Sequence, residues 1–148
     1  MTRRRIPRLI DPPNSEQVSA GGRRGCWRRI TPPPYHVLIH DTWWVIPADE
    51  EWNQASVPRL FRLLIDEQEL GDTATLGHDL LYRYRGALPR AWLQIGQTYR
   101  TYTRDEADAF LYQTGLLEGA EPWKASAGHS VVRGWWWLAE VLRLSPAW

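Results

Sequence analysis

The chain has a single cysteine, Cys26, among its 148 residues, and this limits how its fold can be held together. One thiol excludes an internal disulfide and leaves no basis for a metal site built from cysteines. The fold must therefore rest on an apolar core. A chain of this length can build one as a single domain, by burying about two-thirds of its unfolded surface. We expect it to fold in a reducing cytoplasm.

The apolar pattern predicts neither a membrane span nor a secretory signal. No apolar run reaches the roughly 18–20 residues that a membrane-spanning helix needs. The chain starts with a basic segment, Met1-Thr2-Arg3-Arg4-Arg5, but no apolar stretch follows it before Asp11.

The first 30 residues differ in charge from the rest of the chain. They contain eight arginines and two acids, a balance of +6, whereas the other 118 residues contain ten basic and fifteen acidic side chains, a balance of −5. Prolines and glycines interrupt this segment, and it lacks helical or strand periodicity. We therefore predict an extended basic arm over residues 1–34, closed by three prolines, with residues 35–148 as a single globular domain.

Such an arm is suited to binding a partner. Its composition favours an acidic protein surface, because acids and prolines dilute the basic stripe. Nucleic acid is the alternative, although only one aromatic residue, Trp27, interleaves the arginines. The predicted contact residues of the arm are Arg3, Arg4, Arg5, Arg23, Arg24, Trp27, Arg28 and Arg29.

The remaining chain predicts an α+β fold that is mainly helical. Strand-favouring residues at 35–40 and 43–46 flank a polar turn, so we expect an N-terminal β-hairpin. Spacing of apolar residues and capping signals predict four helices, with Asp72 capping the second and a Thr103–Glu106 capping box opening the third. The predicted helices are residues 58–65, 73–84, 103–114 and 122–142, with the hairpin packed on the second and third.

Three consecutive tryptophans lie within the last predicted helix. Trp135, Trp136 and Trp137 cover about 200° of a helical surface, so they cannot all face one core. At least one of them must contact another element or another chain. We therefore add these three residues to the predicted partner-binding set.

A second group of residues has the types and spacing of a chemical site. His78 and Tyr82 are one turn apart on a predicted helix and share a face, and Gly77 beside them suggests close approach by another element or a ligand. Asp108 borders the apolar face of the next helix, where a carboxylate can point into a partly buried site.

The segments that carry these residues resemble a known family. In order they are Asn53-Gln54-Ala55-Ser56-Val57-Pro58, Gly77-His78-Asp79-Leu80-Leu81-Tyr82, Arg104-Asp105-Glu106-Ala107-Asp108-Ala109-Phe110 and Val131-Val132-Arg133-Gly134-Trp135. The series resembles the domain of unknown function 1353, common in tailed phages and prophages, over about residues 35–137. The family pattern has an acid where this chain has Asn53, so any role of that acid would be weakened here.

The middle segments are also similar to the two catalytic helices of secreted phospholipase A2 enzymes. That resemblance implies that His78 is the base, Asp79 a Ca²⁺ ligand and Asp108 the acid that orients the histidine, with Tyr82 bonded to Asp108. The glycine-rich calcium loop and the disulfides of those enzymes are missing. The alternative is that the same side chains form a satisfied polar network that joins two helices.

Two functions follow from these patterns. The first is a small structural or assembly protein of a tailed phage, at the tail, connector or capsid. It would be made in the host cytoplasm, reside in the virion, and bind other phage structural proteins in an oligomeric assembly. The alternative is a hydrolase that acts on host envelope material through His78 and Asp108, with Ca²⁺ as its cofactor if the phospholipase resemblance holds.

Overall fold

The computed structural model describes residues 10–18, 27–53 and 70–142, with the backbone alone at 128, 131–132, 135–136 and 139–140. Within these residues, five strands precede three long helices, which confirms the predicted α+β class. A short 3-10 turn, Arg90–Trp92, lies between the first two helices. The elements are β1 (Ser15–Val18), β2 (Trp27–Ile30), β3 (Tyr35–Ile39), β4 (Thr42–Ile46), β5 (Glu51–Asn53), α1 (Asp72–Arg83), α2 (Arg104–Leu117) and α3 (Pro122–Val141).

Strands β1, β2 and β5 form an antiparallel sheet that the sequence did not predict. Strand β2 lies between the other two, with Ser15 opposite Ile30 and Arg29 opposite Glu51. We predicted an extended arm over residues 1–34, but the part of this segment that the structure describes contains two paired strands, β1 and β2. Arginine side chains stabilise the pairing: Arg28 donates to Ser15 Oγ at 2.8 Å, and Arg29 donates to Glu51 Oε1 at 2.7 Å.

The predicted hairpin is confirmed as strands β3 and β4. Tyr35 lies opposite Ile46 and Ile39 opposite Thr42, with a tight turn at residues 40–41. Alternate side chains point into the protein, as expected of strands with one buried face. The inward-facing side chains are Val37, Ile39, Thr42, Trp44 and Ile46.

One hydrophobic core joins both sheets to α1 and α2. Trp44 and Trp52, from the two sheets, are fully buried and pack with Leu76 and Leu80 of α1 and Phe110 of α2. Helix α3 packs against α2. Among the described residues, no helix is both long enough and apolar enough to cross a membrane. The predicted helix at 58–65 lies outside the described residues.

The N-terminus of α1 is capped by a residue from α2, not by its own sequence. We predicted Asp72 as the cap, but Asp72 lies inside the first helical turn and Gly71 holds the cap position without a side chain. The buried carboxylate of Glu118 instead accepts from the backbone N–H groups of Thr73 at 2.7 Å and Ala74 at 2.9 Å. Glu118 therefore satisfies two of the donors that a helix start leaves without partners.

Replacing Glu118 by alanine should lower the free energy of unfolding by about 2 kcal/mol, because it leaves two buried N–H groups without an acceptor. Burial raises the pKa of Glu118, against the opposing effect of its two backbone hydrogen bonds. The folded protein therefore binds a proton at Glu118 more tightly than the unfolded chain does. This proton's contribution to the free energy of unfolding is complete below the ordinary pKa of a glutamate and is lost as the pH rises through the raised pKa.

Urea unfolding between pH 4 and pH 8 tests this prediction. Glu118→Gln should retain one acceptor, give an intermediate loss, and remove this contribution to the pH dependence. Gln113→Ala, at an exposed position of the same helix, is the matched control and should change stability by less than about 0.5 kcal/mol. Equal stability of the Glu118→Ala and Gln113→Ala variants would contradict a capping role.

Candidate functional site

Helices α1 and α2 bring together three of the predicted site residues. His78 Nε2 lies 3.1 Å from Asp108 Oδ1, and the Tyr82 hydroxyl donates to the same oxygen at 2.6 Å. The His78 and Tyr82 rings are adjacent, with centroids 4.4 Å apart, because they are one helical turn apart. Helical spacing thus predicted the shared face of His78 and Tyr82, whereas their contact with Asp108 was implied only by the phospholipase resemblance.

A glycine allows the two helices to approach at this point. A Cβ atom at Gly77 would lie 2.2 Å from Cε1 of the Phe110 ring, far inside van der Waals contact. Phe110 itself is buried, 3% exposed, so its ring has little room to move away. Glycine at position 77 lowers the intrinsic stability of the helix, but it allows α1 to pack closely against α2.

The cluster is buried. His78 is 4% exposed and Asp108 is 1% exposed. Burial, and then the hydrogen bond to Asp108 and its negative charge, raise the pKa of Tyr82, so its hydroxyl remains a donor at neutral pH. Among the described residues, every buried side-chain nitrogen or oxygen has a hydrogen-bond partner. The arrangement therefore has the properties of a satisfied polar network between two helices.

A histidine that acts as a general base must also reach water and substrate. The distance from His78 to Asp108 suits that role, but the low exposure of the ring does not. A cleft of ≈ 400 Å³ near the start of α2 is lined by Tyr102, Thr103, Arg104 and Asp105, and His78 is not among its lining residues. Among the described residues, the dyad is thus present, but its histidine ring is almost fully buried.

Asp79 is held by other groups. Its Oδ2 accepts from Arg83 Nη2 at 2.7 Å and from the backbone N–H of Asn53 at 3.3 Å. Arg83 also donates to Glu50 Oε1 and to the Glu51 carbonyl, and so ties α1 to β5. Burial raises the pKa of Asp79, and the positive charge of Arg83 opposes that effect. The position that departs from the family pattern, Asn53, thus contacts Asp79 through its backbone.

These contacts do not fit the Ca²⁺ site that the phospholipase resemblance implies. Calcium takes six to eight oxygen ligands, whereas Asp79 is already paired with a guanidinium. Among the described residues, no group of three or more His, Cys, Asp or Glu side chains could hold a metal ion. No chemical step is therefore assigned to Ca²⁺.

The structure describes the side chains of four of the eleven predicted partner-binding residues. Arg28 and Arg29 make contacts within their own sheet, and the Trp27 ring lies near the Arg83 guanidinium, 5.8 Å from centroid to Cζ. Trp137 is 65% exposed on α3. The remaining predictions concern residues or side chains outside the described part of the chain: Arg3, Arg4, Arg5, Arg23, Arg24, Trp135 and Trp136.

Sequence reasoning missed an exposed apolar surface on α3, which we call the α3 apolar surface. From the sequence, Trp137 alone was identified, although the other large members lie within five residues after it or near the start of the helix. Helical spacing indicates this surface, because Val141 lies one turn from Trp137. The surface consists of Trp123, Trp137, Leu138, Val141 and Leu142, each at least 41% exposed.

Comparison with protein-family models identifies the family of this chain. Neither the comparison with curated proteins nor the comparison with solved structures gave a significant match. A family model described as "Protein of unknown function (DUF1353)" matches residues 27–132. The match includes β2, which the resemblance in the sequence had placed outside the family region. Because it covers more than half of the chain, the protein belongs to the DUF1353 family of proteins of unknown function.

Proposed function

We propose that the protein is a small structural protein of a tailed-phage particle, at the tail, connector or capsid, and that it binds neighbouring subunits. The observation that carries this proposal is the α3 apolar surface. Trp137, Leu138, Val141 and Leu142 are adjacent on one side of the helix, and all are exposed. The family resemblance to phage and prophage proteins supports the setting.

An exposed surface of this kind has a physical cost unless a partner covers it. Soluble monomers rarely expose large contiguous apolar patches, and such patches commonly mark interaction sites. Tryptophan is enriched among the residues that contribute most to binding. By contrast, Arg28 and Arg29 already have partners in their own sheet, so the proposed contact moves from the basic segment to α3.

The proposal is tested by analysing purified particles by mass spectrometry. We expect the protein to be present in particles, and Trp137→Glu to lower its incorporation at least tenfold. Trp43→Glu is the matched control, because Trp43 is also exposed, at 40%, but lies on the hairpin. Particles that form normally and contain none of the protein would refute the proposal, as would equal incorporation of the Trp137→Glu variant.

We propose hydrolysis of a host envelope ester as the second candidate function, because His78 lies 3.1 Å from Asp108. The test measures release of fatty acid from phospholipid vesicles, with Ca²⁺ and with a chelator. Support requires activity that His78→Ala abolishes and His36→Ala, a change at an exposed histidine, retains. Activity that is absent, or that does not depend on His78, would exclude this function.

A further inference from the structure

The outer side of α3 has a seven-residue repeat in addition to its apolar character. Six positions with alternating spacings of four and three residues form one stripe along the helix, as in a coiled coil. All six are exposed or partly exposed. They are Trp123, Ala127, Ser130, Gly134, Trp137 and Val141, which we call the α3 stripe.

The opposite side of the helix already has its partner. Ala125 is buried, 2% exposed, and the His129 ring lies 5.9 Å from the Tyr112 ring of α2. On the helix, Ala125 lies about 160° and His129 about 120° from the centre of the α3 stripe. Helix α3 therefore has one face that packs within the chain and a second face, with coiled-coil spacing, that points to solvent.

The side-chain sizes in the stripe are complementary to the same stripe running in the opposite direction. When two copies are placed antiparallel about a point between Ser130 and Gly134, those two residues face each other across the centre. On either side, Trp137 of one copy faces Ala127 of the other. At the ends, Trp123 faces Val141. Each tryptophan thus meets a smaller side chain, which is the condition for interdigitated packing.

We propose that α3 forms an antiparallel two-fold dimer with a second copy of this chain through the α3 stripe. This inference rests on the proposed function in one respect, because both use α3 for contact between subunits. It adds that the partner is a second copy of the same chain. A two-fold interface needs a surface that is complementary to itself, and the stripe meets that requirement.

Gly134 supports this choice of partner. A glycine within a helix costs about 1 kcal/mol relative to alanine. At Gly77 the cost is explained by contact with Phe110, but a Cβ atom at Gly134 would meet no atom of the described residues within 4 Å. In the proposed dimer, Gly134 lies in the central layer, where a small residue allows the two helices to approach closely.

The tryptophans supply much of the required contact area. The indole N–H of Trp123 donates to Glu121 Oε2 at 2.6 Å, so this ring can be covered without losing a hydrogen bond. Four tryptophans in the dimer would contribute on the order of 500 Å². Both copies of Val141, which lies on the stripe, and of Leu138, which flanks it, add to this area and bring it towards the roughly 1,200 Å² of a specific interface.

Sedimentation equilibrium of the full chain tests the dimer. We expect about twice the 17.3 kDa mass of one chain at micromolar concentration. Trp137→Glu should weaken dimerisation roughly 100-fold, because the change occurs twice in each dimer. Trp43→Glu should leave it unchanged. A monomeric wild-type chain at tens of micromolar, or equal effects of the two changes, would overturn the proposal.

Gly134→Leu separates dimerisation from folding. Leucine is a stronger helix former than glycine and its side chain has free space in the monomer, so the subunit should remain at least as stable. The same side chain would block close approach in the central layer, and dimerisation should weaken at least tenfold. Unchanged dimerisation of a folded Gly134→Leu variant would contradict the proposed packing.

Cysteine cross-linking tests the antiparallel direction in a Cys26→Ser background. Ser130→Cys and Gly134→Cys copies with different tags should form mixed disulfides when combined, because these positions face each other. A disulfide between two Ser130→Cys copies, without mixed products, indicates a parallel pair and overturns the arrangement. The two proposals can fail separately. If the protein dimerises but is missing from particles, the proposed function is refuted and the dimer is not. If the protein is monomeric but enters particles in a way that depends on Trp137, the dimer is refuted and the proposed function is not.

Discussion

Replacing Asp108 by alanine is expected to lower the free energy of unfolding by about 3–5 kcal/mol. One carboxylate oxygen of Asp108 contacts both His78 Nε2 and the Tyr82 hydroxyl in a buried space between α1 and α2. Alanine would leave both polar groups buried without an acceptor and would also leave a small void. This loss is expected whether or not the cluster has a catalytic role.

Asp108→Asn tests whether the hydrogen bonds accepted by the carboxylate oxygen account for this loss. The amide retains an oxygen that can accept from both neighbours, so the loss of stability should fall to about 1–2 kcal/mol. Chemical denaturation followed by far-UV circular dichroism measures these differences. Asp105→Ala on the same helix, at a side chain 74% exposed, is the control and should cost less than about 1 kcal/mol. A similar small loss for Asp108→Ala would contradict the buried network.

Part of this cluster could be predicted from helical spacing alone. The shared face of His78 and Tyr82 follows from the 3.6-residue period, and the same rule pairs Asp79 with Arg83. The burial of the imidazole could not be predicted in this way, because it depends on residues of other elements. Helical spacing indicates only that Arg83 neighbours Asp79, whereas in the structure Arg83 also joins α1 to Glu50 and to strand β5.

The fold shows the same division between local and non-local effects. The hairpin and the Thr103–Glu106 capping box depend on residues close in sequence, and the structure confirms both. The sheet of β1, β2 and β5 was missed because its strands are short and polar. Their pairing depends on contacts such as that between Arg29 and Glu51, which are 22 residues apart. Glu118 likewise caps a helix that begins far from it along the chain.

Replacing Trp44 by alanine is expected to cost about 3–5 kcal/mol of folding free energy. Trp44 is fully buried at the centre of β4, where its indole N–H donates to the Tyr102 hydroxyl at 2.8 Å. Its ring also makes an edge contact with Tyr99, with centroids 5.9 Å apart. Alanine would remove these contacts, leave a large cavity, and take away the donor that the Tyr102 hydroxyl accepts from.

Trp43→Ala is the control for this prediction, because Trp43 precedes Trp44 on the same strand and points to the other face, 40% exposed. Its replacement should cost less than about 1 kcal/mol. Urea unfolding of both variants, followed by far-UV circular dichroism, compares the two faces of one strand. A strand displaced by one residue exchanges its buried and exposed side chains. Equal losses, or a larger loss for Trp43→Ala, would therefore contradict the pairing that places Trp44 opposite Val37 and in the core.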